Sequence, residues 1–172
     1  MVNINNFVSG FKGGARNDKF RVIVTYPAVA GTPNVQDYLR ITTASLPGST
    51  VPNAQVFFMG RAIPLLGDRQ NEPFSMTILN DTDFSHRSCF ERWLNAVNAH
   101  EGNVQTGTYQ SLLGTIQIDQ LDRDDSVLKT VVLHNVFVDM LSNIDLDYGA
   151  IDQAEIYSCS FAYTHWTSDT TS

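Results

Sequence analysis

A mainly β fold, a sandwich or partly closed barrel with one α-helix on its flank, is what this chain predicts. Three observations carry that reading. Several runs alternate apolar and polar residues with the period of two that marks a half-buried strand. One stretch only, with Phe90, Trp93, Leu94 and Val97 at i, i+3, i+4 and i+7, has the period of a helix with a buried stripe. No internal repeat or low-complexity block interrupts them. A helix among strands must lie on a sheet, and 172 residues are enough for one domain with a sizeable core.

Residues 1–19 read as an arm: they are rich in Asn and Gly, Gly13-Gly14 argues against a helix, and Phe7, Val8 and Phe11 are apolar anchors. Residues 20–26 alternate as a first strand, and residues 38–44, with Leu39 and Ile41 on one face, as a second. The two are expected to form a hairpin across the Gly31-Thr32-Pro33-Asn34 loop. Pro47 and Pro52 keep residues 46–53 from being a regular central strand. Residues 55–59 and 61–66 are short apolar runs separated by Gly60, and Pro64 confines the second to an edge or an irregular strand. Gly67-Asp68-Arg69 is a turn, and Phe74, Met76 and Ile78 alternate with Ser75 and Thr77. Asp83 is the expected helix N-cap, with Asp81 nearby at the positive end of the helix, and Gly102-Asn103 suits the helix exit. Residues 104–112 form a polar loop. Residues 114–121 and 127–138 make a long hairpin around an Asp-rich turn. Residues 140–154 are acidic and irregular, 155–166 are a final strand, and 167–172 are a fraying tail. The domain proper is thus expected over residues 20–166.

The net charge of −7 argues against a protein that grips nucleic-acid phosphates, which needs a basic stripe. The charge is also uneven. Lys12, Arg16, Lys19 and Arg21 make the N-terminal segment basic, whereas no Lys or Arg follows Lys129. Such asymmetry can guide self-association. No apolar run approaches the roughly 18 residues of a membrane helix, and the N-terminus lacks the apolar core of a signal peptide. No membrane anchor is expected.

Catalytic patterns are missing: there is no Gly-x-Ser-x-Gly, Walker A or dinucleotide fingerprint. His86 and Cys89 are spaced for a metal on one helix face, but two ligands do not make a site. Asp122, Asp124 and Asp125 surround a turn that lacks the glycine and closing glutamate of a calcium loop. Cys89 and Cys159 read as small buried residues, and His134 as a satisfied core histidine. No enzyme activity and no cofactor are expected. A closed barrel holding a small ligand among Tyr157, Phe161 and Tyr163 is a second reading, set against an ordinary aromatic core.

Residues 44–94 order the chain. In succession come Ala44-Ser45-Leu46-Pro47-Gly48, Phe58-Met59-Gly60-Arg61, Gly67-Asp68-Arg69, the strand from Phe74 ending in Asn80-Asp81, and the helix with Phe90, Trp93 and Leu94. In that order and spacing the chain resembles the tail tube proteins of contractile-tailed bacteriophages, most densely over residues 44–95 and more weakly over 20–166. The resemblance implies barrels whose sheets join, six to a ring, around a central channel. It implies rings stacked into a tube inside a virion and assembled in the host cytoplasm. The sheath, baseplate and tape-measure proteins would be partners, and the genome would pass without specific binding. Tube subunits of contractile bacteriocins and type VI secretion machines are the related alternative. The resemblance also implies that the loop carrying Leu46, Pro47, Gly48, Val51, Pro52, Val56, Phe57, Phe58 and Met59 reaches from one ring into the next. The arm, with Phe7, Phe11, Lys12, Arg16 and Lys19, is expected to meet acidic residues of a neighbour.

Overall fold

The computed structural model describes residues 4–11 and 14–171. In chain order it contains α1 (Ile4–Phe11), β1 (Phe20–Thr25), a 3₁₀ turn (Asp37–Leu39), β2 (Ile41–Ala44), β3 (Ser49–Thr50), β4 (Asn53–Phe58) and β5 (Arg61–Leu66). There follow β6 (Gln70–Asn71), β7 (Phe74–Leu79), α2 (Ser85–Val97), a second 3₁₀ turn (Tyr109–Leu112), β8 (Gly114–Leu121), β9 (Val127–Leu141), β10 (Ile156–Ala162) and β11 (His165–Ser168). The main sheet runs β1-β8-β9-β10-β7-β2, with β11 also paired to β9.

Long β9 joins the two halves of the sheet. It pairs with β8 along one side, and with β11 and then β10 along the other. Inward residues of both halves, among them Val22, Val24, Ile116, Ile118 and Leu133 on one side and Phe74, Met76, Ile78, Cys159 and Phe161 on the other, form a single buried cluster. The edges β1 and β2 do not pair. Instead Asp37 stands at the free edge of β1, accepting the Val24 amide on Oδ2 (3.0 Å) and the Tyr26 hydroxyl on Oδ1 (2.7 Å). A side chain thus replaces the missing strand partner, and the barrel is only partly closed.

The α2 helix closes the core. Its buried face is His86, Cys89, Phe90, Trp93 and Ala96, while Leu94 and Val97 are half-buried at its margin. Phe90 and Trp93 have no exposed surface, and such side chains each contribute about 1.5–3 kcal/mol through burial. The Trp93 indole donates to the Leu112 carbonyl at 2.7 Å.

Several expectations are corrected. The arm holds a helix, α1, that ends at Phe11; Gly14 follows at φ +66°, its amide donating to the Phe11 carbonyl, and Gly13 lies outside the described residues. Tyr38 and Leu39 belong to a 3₁₀ turn, not a strand, and β1 and β2 form no hairpin; each found a longer apolar partner, in β8 and β7. Phe84, at φ 51°, occupies the N-cap position in place of Asp83. The first turn is held by Asp81, which accepts the Ser85 amide (3.0 Å) and hydroxyl (2.7 Å). The helix stops at Val97; Asn103 closes the following turn, accepting from the Asn98 amide side chain. The last strand is two strands, broken where Asn135 of β9 takes φ 54° and Thr164 binds back to His134. The β11 strand runs to Ser168, which is buried and whose amide donates to the Thr171 hydroxyl. Ser172 lies outside the described residues.

Candidate assembly surface

The β4–β5 hairpin stands apart from the main sheet. Its strands pair only with each other, from Asn53 opposite Leu66 to Phe58 opposite Arg61. Met59 and Gly60 make the connection, both with positive φ (47° and 77°), the conformation of a tight two-residue hairpin turn. Pro64 fits because a two-stranded ribbon has only edges.

Residues directly opposite share a face. Ala54, Val56 and Phe58 therefore line one face together with Leu65, Ile63 and the stem of Arg61. Phe57 lies on the other face with Pro64, Ala62 and Leu66. Every residue of both strands is exposed, with Phe57 at 74 %, Phe58 at 61 %, Met59 at 88 % and Leu66 at 97 %. Leu46 and Val51, at the base, are exposed as well. Phe57 and Phe58 do alternate in a hairpin, yet neither enters the core. An isolated two-stranded hairpin is marginal in water, and exposed apolar surface of this extent is uncommon on a monomer.

The base is anchored. Below the hairpin, β3 pairs with β6. The Trp166 indole donates to the Ser49 hydroxyl (2.9 Å), and the Asn71 side chain to the Thr164 carbonyl (3.0 Å). Gly67 lies so close to the Pro52 carbonyl that a Cβ would overlap its oxygen. The prolines at 47 and 52 and these contacts aim a stiff, apolar blade outward. Ile63, Leu65 and Leu66, expected as part of an apolar edge or irregular strand, were not among the expected stacking residues, although pairing Val56 across a Met59-Gly60 turn sets them beside it.

On the arm, Phe7 and Phe11 stack at 5.4 Å between centroids and remain exposed. Lys12 lies outside the described residues. Arg16 is exposed and forms no ion pair among the described residues. Lys19 binds Asp125 of its own chain at 2.7 Å, and Arg21 binds Asp119. Two of the four basic residues are thus held within the subunit, and the arm's free charge is smaller than the sequence implied.

The residues weighed for chemistry serve the fold. His86 is buried with Nε2 3.3 Å from Asp37 Oδ1 and Nδ1 3.3 Å from the Ser85 hydroxyl. Cys89 and Cys159 are buried and unbridged, and burial raises the Cys159 thiol pKa. His134 is not in the core: it is half-buried, hydrogen-bonded to Thr167 at 2.9 Å and stacked on His165 at 4.7 Å. Asp124 and Asp125 are directed to Ser126 and Lys19. Among the described residues no group of three or more His, Cys, Asp or Glu could hold a metal. Phe161 is packed between Phe74, Phe90 and Trp93, and Tyr157 lies under the Arg87 guanidinium. Tyr157 and Phe161 are thus part of the core, and Tyr163 is half-buried against it.

Comparison with known proteins agrees with this arrangement. A tail tube protein of Serratia phage KSP90 is 25% identical over 174 residues, covering 98% of each chain. A chain of the anti-feeding prophage baseplate has the same fold, with a TM-score of 0.65 at 17% identity, covering 90% of this chain and 94% of that one. A chain of the sheath–tube complex of an extracellular contractile injection system, in its extended state, gives 0.59 at 11% identity over 98% and 99%. The family model described as "Phage tail tube protein" matches residues 15–169, nearly the whole chain, and the protein belongs to that family.

Proposed function

We propose that this chain is the structural subunit of the inner tube of a contractile phage tail. The observation that carries this reading is the anchored β4–β5 hairpin, apolar on both faces and uncovered, in a chain of the tail tube family. Such a hairpin suits contact with a neighbouring subunit, and the unpaired edge of β2 suits sheets that continue between subunits. Six subunits would form a ring, and rings would stack into a conduit for the genome in the virion. The net negative charge would keep DNA from sticking to the wall. A sheath, a baseplate and a tape-measure protein would be its partners, and assembly would take place in the host cytoplasm. The subunit's work is mechanical and involves no reaction. The fold is shared with an extracellular contractile injection system, but the curated relatives matched in sequence are phage tail tube proteins, which favours the phage tail. Negative-stain microscopy of the purified protein tests the reading. Hollow tubes or stacked rings are expected; isolated monomers at all concentrations would overturn it.

A further inference from the structure

Two uncovered surfaces outside the hairpin complement each other in charge and in apolar content. The first is the arm: Ile4, Phe7 and Phe11 are exposed along α1, and exposed Arg16 follows. The second is the loop between β9 and β10. It exposes Leu146, Tyr148 and Ile151, with Tyr148 fully in solvent, interleaved with Asp145, Asp147 and Asp152. No Lys or Arg occurs in the sequence after residue 129, so nothing within this part of the chain neutralises the loop.

The two surfaces are attached to the chain at the two ends of β9. The arm is tied down by Lys19 to Asp125, in the turn where β9 begins. The acidic loop starts where β9 ends, at Leu141. Fifteen residues of strand separate the two ends, a contour of about 45 Å at the usual rise. In the subunit alone neither surface covers the other.

We infer that the arm of one copy docks on the 143–155 loop of the next, apolar side chains against Leu146, Tyr148 and Ile151, and Arg16 against the loop carboxylates. This rests on the tube reading and deepens it. A contact between two different surfaces of like copies is heterologous, and such a contact propagates a polymer or a ring rather than closing a two-fold dimer. Apolar anchors supply its strength, and charge its register and salt dependence.

Disulfide trapping tests the inference in the full chain. Phe7→Cys combined with Ile151→Cys is expected to give a ladder of chain multimers on oxidation, since the native cysteines are both buried. Arg16→Glu is expected to raise the concentration needed for polymerisation roughly fivefold, and adding Asp147→Lys to restore it. Tubes that form without intermolecular crosslinks, or a disulfide closed within one chain, would overturn the docking and leave the tube reading intact. Wild-type protein that forms no polymer would overturn both.

Discussion

Arg21 and Asp119 face each other across the β1–β8 ladder, with Nη2 2.7 Å and Nε 3.1 Å from Oδ2. Asp119 is 1 % exposed and also accepts from Gln117 and Thr130, both at 2.9 Å. The carboxylate is therefore fully engaged inside the sheet, and removing its cation leaves a buried charge short of a partner. Arg21→Ala is expected to destabilise the subunit by about 2 kcal/mol, read as a lower urea midpoint with unchanged slope. A midpoint equal to wild type would show that the pair contributes nothing.

The pH dependence follows from three groups. Burial pushes the Asp119 carboxyl up, but hydrogen bonds from Gln117, Arg21 and Thr130 outweigh it and hold the pKa below the ordinary value. Burial and the Ser85 hydrogen bonds compete in the same way at Asp81, with the same outcome. Their stabilisation is present above the unfolded carboxylate value of about 3.9 and is lost as pH falls through the folded values. Burial, then His165, lowers the pKa of His134, so its neutral form is favoured in the fold. That contribution is present above about 6.5 and declines as pH drops below it. Thermal midpoints at pH 7.5, 5.5 and 3.5 should fall slightly and then steeply, and His134→Gln should reduce the first decline.

Asp81, not Asp83, holds the start of α2. Asp81→Ala should cost about 1 kcal/mol, in the range of a lost helix cap. Asp83→Ala should stay within about 0.5 kcal/mol. Equal losses at both positions in chemical denaturation would contradict the hydrogen bonds of Ser85.

Gly114 begins β8 directly under the helix. A Cβ there would lie 2.5 Å from the Thr25 carbonyl oxygen and 2.7 Å from Trp93 Cη2. Gly114→Ala should therefore destabilise by about 1–3 kcal/mol through overpacking, although Ala is otherwise the better strand residue. Trp93→Ala should cost about 3–5 kcal/mol. A calorimetric scan of the two variants checks both.

The hairpin variants separate folding from assembly. Val51→Asp with Val56→Asp alters exposed side chains only, so circular dichroism should remain β-rich. Sedimentation should move from polymer to small species. Long tubes formed by this double variant would remove the stacking role from the segment.

The strands with a strict period of two, such as β7 with Phe74, Met76 and Ile78 buried, and the helical stripe with Phe90 and Trp93 were determined by the sequence alone. Burial of one face is a local pattern, and pleat and helix turn it into geometry without further information. The resemblance to tube proteins was legible for a related reason: it lay in the order of turns and strands along the chain. Which strands pair was decided only by the tertiary structure. The alternation of β1 suits any partner, and its place beside β8 rather than β2 depends on Asp37 taking the other edge through the Val24 amide. The unbroken alternation from Tyr157 to His165 gave no warning of the break between β10 and β11, which lies opposite Asn135, at positive φ on the neighbouring strand. The hairpin at 53–66 has enough apolar residues for a core strand pair. That it points into solvent instead reflects contacts at its base, between Ser49 and Trp166 and between Asn71 and Thr164, which join residues about a hundred positions apart.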